Sequence, residues 1–243
     1  MFSLCITTLN RWSFLEKNIP KYLENELISE IIISDENGND IKLIQEHFPN
    51  HSKLKLFKND TILGPFLNKI KCCKHSSNEW IALIDSDNFA DLDYFTKASE
   101  YISSNISLLN KESIIAPSFA SPNFDYEFLT NVILTKNNIR NYNNVNPMFN
   151  CFINTGNYIL NKNLIFNLKI IDDEFVLIRK SSACDVKFMN TLFLEQFPNL
   201  NIHIVKKMEY EHVVHDESVY LKTYMKTQGW INKVNDRFSK LVN

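Results

Sequence analysis

The first hundred residues repeat one arrangement, a short apolar strand, a polar cluster and then a helical pattern. FSLCITTL (2–9) leads into Asn10 and Arg11 and then the stripe Phe14, Leu15 and Ile19, where Ser13 and Glu16 have capping-box spacing and Pro20 is expected to kink the helix. SEIIISDENGND (29–40) is rich in β-branched residues and ends in a turn-forming cluster. KLKLFKN (53–59) alternates as a third strand, 65–76 reads as helix, and WIALID (80–85) is apolar enough to be buried on both faces of a parallel sheet. A further helical pattern follows at about 92–104. Such alternation predicts an α/β fold with a mostly parallel central sheet flanked by helices, whose ligand site lies beyond the carboxyl ends of the strands. Thr7 to Arg11, Asp35 to Asn37 and Asp85 to Asn88 occupy those ends.

The remaining sequence is less regular. ESIIAPSF (112–119) reads as a strand, 126–147 as an Asn-rich stretch, and MFNCFINTGNYIL (148–160) as apolar around a small Thr155-Gly156 step. An amphipathic helix is predicted over 182–197 and a strand over NIHIV (201–205). No repeat and no linker rich in Pro, Gly or Ser interrupts the 243 residues, which favours one domain made of two halves, 1–112 and 113–243.

Charge and cysteine usage narrow the function classes. A net charge of −2 gives no basic footprint for nucleic acid. Five cysteines, odd in number and without a CxxC pair, fit reduced thiols in a soluble, cytoplasmic protein better than a disulfide framework or a zinc site. The N-terminus has no basic leader, and no apolar run is long enough to span a bilayer. Four scattered glycines make neither a dinucleotide fingerprint nor a P-loop. Asp85 and Asp87, one residue apart after a strand, can both reach a hard divalent cation, Mg2+ or Mn2+, that keeps water and phosphate oxygens as its other ligands. The same spacing also arises in ordinary acidic turns. A dehalogenase-like phosphatase uses Asp-x-Asp too, but after its first strand and followed by Thr, whereas Asn88 and Phe89 follow this pair.

SLCITTLNR, IIISDENGND, LGPFLNKIKCC, WIALIDSDN, NTGNYIL, CDVKF and EHVVHDES occur in an order and at intervals that resemble family 2-like glycosyltransferases with the GT-A fold. The resemblance covers roughly residues 2–220. It implies transfer of a sugar from a nucleotide-diphosphate donor, most often a UDP-sugar, to a glycan or other hydroxyl acceptor, usually with inversion. By position it implies that Thr7, Asn10 and Arg11 touch the nucleotide, that Asp35 hydrogen-bonds the base, and that Asp85 faces the ribose or the metal. Asp87 would hold the metal that bridges the diphosphate. Asp185 resembles the acceptor-side acid that serves as general base, although Cys184 stands before it where relatives commonly carry Glu. Asp172 and Asp173 resemble a more variable acidic pair. Thr155-Gly156 would bring backbone close to donor sugar or acceptor, and His212 or His215 would complete the metal site, His215 being favoured by Ser218 after it. Leu67 precedes Asn68 where relatives often have Arg, so either Lys69 supplies that charge to the donor or a phosphate contact is lost.

Two further readings stand beside this one. A sugar nucleotidyltransferase needs a Gly-rich loop that ITTLNRWS (6–13) lacks, and a catalytically silent relative would bind nucleotide or glycan without turnover. The tail, 220–242, alternates Lys with aromatic and aliphatic residues, the pattern of a packed terminal helix or of a weak contact with a membrane surface or a second copy.

Overall fold

Strands that are apolar on both faces need cover on both faces, and the fold supplies it. The computed structural model describes residues 1–143, 145–170, 182–215, 218, 222 and 224–242. The first half contains β1 (Phe2–Thr8), α1 (Trp12–Glu24), β2 (Ile28–Asp35), α2 (Asn39–His47), β3 (Leu54–Lys58), α3 (Pro65–Lys74), β4 (Trp80–Asp85) and α4 (Leu92–Ser104). After these come β5 (Ser113–Ser121), β6 (Phe124–Asp125), β7 (Ile133–Thr135), α5 (Met148–Ile153), β8 (Tyr158–Asn161), α6 (Lys162–Phe166), α7 (Asp185–Gln196), β9 (Asn201–Glu211) and α8 (Gln228–Val242).

Among the described residues the strands form one nine-stranded sheet in the order β3-β2-β1-β4-β8-β5-β9-β7, with β6 on β5. β1 to β4 pair in parallel, and β5 and β9 keep their direction because β8 runs antiparallel between β4 and β5. Ile31, Ile32 and Ile33 of β2 and Ile81 to Ile84 of β4 are fully buried, as doubly covered strands require. Alternate residues of β1 face opposite layers. Phe2 meets Phe95 of α4, which also meets Tyr22 of α1, while the Cys5 thiol points at the carbonyl of Cys72 in α3.

The structure corrects several local expectations. Ser13 does not cap α1, because the helix begins at Trp12 and places Ser13 inside its first turn; Arg11 is the N-cap residue, and its N–H is taken by Asp40 of α2. α1 runs through Pro20. The stretch before Thr155-Gly156 is helical, with strand only from Tyr158. β9 runs to Glu211, well past Val205, because a bulge absorbs the polar Lys206-Lys207 pair: Lys207 has φ 62°, and pairing with β5 shifts register between Pro117 and Phe119. The tail folds as α8, whose Trp230, Val234, Phe238 and Val242 are buried. Arg237 clamps Glu195 of α7 with two 2.7 Å hydrogen bonds, and Trp230 packs edge-on against Phe188. The apolar stripe of α8 is therefore buried inside the chain.

Gly156 has a packing explanation. A Cβ there would lie 2.7 Å from Cγ2 of Val186, a stiff β-branched side chain buried in the first turn of α7. Gly156→Ala is expected to lower stability by about 1–3 kcal/mol in urea unfolding, with partial recovery in the Gly156→Ala/Val186→Ala double variant.

Candidate active site

The parallel register brings polar strand ends together. Thr7 of β1 pairs with Ser34 of β2 and Asp85 of β4, and Thr8 pairs with Asp35. Beyond these ends lies a cavity of about 670 Å³. Its wall includes Thr7, Arg11, Glu36, Lys69, Asp85 and Asp87 on the first-half side, and Phe124, Cys151, Thr155, Asp185 and His212 on the other.

Lys69 is the centre of this wall. Its Nζ lies 2.8 Å from Asp85 Oδ1 and 2.8 Å from Asp185 Oδ2. Burial works against the ammonium charge, but the two carboxylates, Asp185 before Asp85, outweigh it and hold Lys69 well above the ordinary lysine range. Asp185 opens α7 and is buried, which raises its carboxyl above the usual range although Lys69 pulls the other way. Asp85 is further fixed by Asn157, whose side-chain oxygen accepts the Asp85 N–H at 2.8 Å.

Asp87 meets a different set. Its Oδ2 lies 2.9 Å from His215 Nε2 and 4.0 Å from Arg11 Nε. The bulged end of β9 delivers that histidine: Phe89 and Glu211 exchange backbone hydrogen bonds, and Val213 N–H donates to Asn88 Oδ1. His215 then packs against Phe14 of α1. His212 lies edge-on to Phe124, and its buried Nδ1 has no hydrogen-bond partner among the described residues. Burial lowers the His212 pKa, against the pull of Asp85 and Asp87.

No group of three His, Cys, Asp or Glu side chains among the described residues is placed to hold a metal ion. The Asp87–His215 pair alone fits a cation that takes its other ligands from water and phosphate. Two ligands at about 2.1 Å and at right angles stand about 3 Å apart, close to the observed 2.9 Å. Asp85 Oδ1 is engaged by Lys69, which leaves Oδ2 as the oxygen that Asp85 could offer a cation.

Several expected residues lie elsewhere. Asp35 is fully buried and faces α2: Oδ2 accepts the N–H groups of Asp40 and Ile41, and Oδ1 that of Asn37. Its carboxylate is thus engaged by the start of α2, and Asp35 is absent from the cavity wall. Asn10 (φ 54°) is exposed and outside the wall, its Oδ1 accepting from the side chains of Asn37 and Asn39. Gly156 is also off the wall, packed under Val186. Asp172 and Asp173 lie outside the described residues.

Glu36 was missed, although strand periodicity marks it. Ser34 and Glu36 share a face because side chains alternate, so Asp35 must point the other way. Ser34 Oγ donates to Asn68 Oδ1, and Glu36 Oε2 accepts from Leu63 N–H and from Asn59. Burial raises the Glu36 carboxyl, partly offset by those donors.

Comparison with known proteins gives a consistent result. The sequence pattern of glycosyl transferase family 2 matches residues 3–182. The uncharacterized glycosyltransferase MG060 of Mycoplasma genitalium is 32% identical over 94 residues, which are 35% of this chain and 32% of that protein, so the chain spans about a third of that relative's length. S. aureus TarS 1–349 in complex with UDP superposes with a TM-score of 0.62 at 14% identity, over 88% of this chain and 60% of that one. The mannosyltransferase PcManGT of Pyrobaculum calidifontis, in complex with GDP-Man and Mn2+, gives 0.65 at 12% identity, over 99% and 64%. At such identities these likenesses show a shared fold, the GT-A fold.

Removal of the Asp35 carboxylate leaves buried N–H groups at the start of α2 without acceptors. Asp35→Ala is expected to cost about 2–3 kcal/mol in denaturant unfolding.

Proposed function

The chain belongs to glycosyl transferase family 2, and on that premise we propose that it transfers a sugar from a nucleotide-diphosphate sugar to a hydroxyl acceptor. The observation that carries this reading is the pairing, across one cavity, of Asp85 and Asp87 from the end of β4 with Asp185 from the start of α7. The nucleotide enters over the ends of β1 and β2. Glu36 is the base-facing carboxylate, and a carboxylate accepts the ring N–H of uracil, which favours UDP over CDP. Arg11 faces the diphosphate.

Asp87 and His215 would hold a divalent cation, Mn2+ or Mg2+, which when bound would supply positive charge to the leaving diphosphate. Asp185 accepts the proton of the acceptor hydroxyl as its oxygen bonds to the anomeric carbon. The bond from that carbon to the diphosphate oxygen breaks, and the nucleoside diphosphate leaves with the electron pair. One displacement with one base inverts the anomeric centre. The acceptor lies against Phe124, Cys151 and Thr155, the part of the wall supplied by the second half.

Calorimetric titration with UDP, GDP and CDP, each with Mn2+ and again with a chelator, tests the donor side. UDP is expected to bind with metal dependence, Glu36→Gln to weaken it about tenfold, and Asp87→Ala to remove the metal effect. Asp185→Asn should keep that binding while transfer falls about 10²–10⁴-fold. Failure of every nucleotide to bind sinks the proposal, and metal-dependent binding without turnover of any nucleotide sugar points to a silent relative instead.

A further inference from the structure

Lys69 joins carboxylates from opposite halves of the chain, 116 residues apart at the farther pair. Its own position is heavily determined. Gly64 (φ 80°, ψ 166°), in a region almost closed to other residues, and Pro65 set the start of α3. Asn68 beside it is held by Ser34 and Asn59, and Phe66 packs edge-on against Phe188 of α7. The Lys69 side chain is only 7% exposed and that of Asp185 only 5%.

Charge argues against the simplest role for such a cation. A lysine placed to grip a diphosphate keeps its charge for the ligand. Lys69 instead gives two of its three donors to carboxylates, so Lys69, Asp85 and Asp185 together carry one net negative charge. The lysine's charge is thereby already committed to carboxylates of the chain itself.

We propose that Lys69 is the positioning residue for Asp185, fixing the base at a set distance from the donor carboxylate Asp85 and supplying the cationic partner that its buried carboxylate needs. The proposal rests on the glycosyl-transfer reading. A carboxylate as buried as Asp185 loses its charge without a cationic partner, and a neutral acid cannot act as a base. The bridge also sets geometry: the two bridged oxygens can stand no farther apart than twice the N···O distance. Through it, the donor edge of the sheet and the first turn of α7 become one rigid unit.

Two measurements on the full chain decide this. In steady-state transfer, Lys69→Met is expected to lower kcat on the order of 10²-fold while the donor KM changes less than about threefold, and small alkylamines should restore part of the activity of Lys69→Ala. A donor KM that rises as far as kcat/KM falls, or an unchanged kcat, overturns the proposal. In thermal unfolding without ligand, Lys69→Met should lower Tm by roughly 5–10 °C, and adding Asp185→Asn should recover part of that loss because no buried carboxylate is then left unpaired. Additive losses in the double variant overturn the bridge. A wild-type protein that turns over no nucleotide sugar overturns the functional reading, and the thermal cycle still decides the pairing.

Discussion

The placement of β1 between β2 and β4 is the constraint on which the rest of the site depends. Parallel pairing on both sides lines up three carboxyl ends, so Thr7, Ser34 and Asp85 fall in one row across the sheet. The loops above that row are then fixed by carboxylates acting on helix starts. Asp35, at the end of β2, caps α2, and Asp40, in the first turn of α2, receives the Arg11 N–H at the start of α1 and the Thr8 hydroxyl. Negative groups are favoured at helix N-termini, so each step of this relay is stable by itself. Together the steps aim the 7–11 loop at the cavity.

Much of this was legible in the sequence because it is local. β4 and α4 follow from apolar runs and spacing alone, and the cluster at 85–88 falls on the cavity wall as the alternation of elements implies. What was not legible is which way a side chain points at the end of a strand. Asp35 and Glu36 are adjacent acids of similar chemistry, and only the face that meets α3 tells one from the other. The partner of Lys69 could not be read either, because it lies 116 residues away and depends on where α7 docks. β9 was read short because a bulge hides in a pair of lysines, and a bulge is a backbone solution to pairing rather than a sequence pattern.

The second half works by supporting the first. α8 holds α7 through Arg237–Glu195 and the Trp230–Phe188 contact, and Lys187 Nζ, two residues beyond Asp185, is hydrogen-bonded by Asn150 of α5 and Asn235 of α8. Two helices, α5 and α8, thus fix the turn of α7 that carries Asp185. On the opposite rim, β9 carries His212 and His215 to the donor edge only because its bulge lets it continue. Groups that meet at the cavity are therefore anchored far from it.

The distribution of sulfur has a practical consequence. Cys5, Cys72, Cys73 and Cys184 are buried, whereas Cys151 is partly exposed and stands on the cavity wall. Cys151 is therefore the cysteine that a thiol-reactive fluorophore offered to the folded protein is expected to reach first, and it lines the space where the acceptor is proposed to sit. The native chain thereby carries its own reporter position, at which occupancy of the cavity can be followed by emission or by protection from labelling without an engineered cysteine.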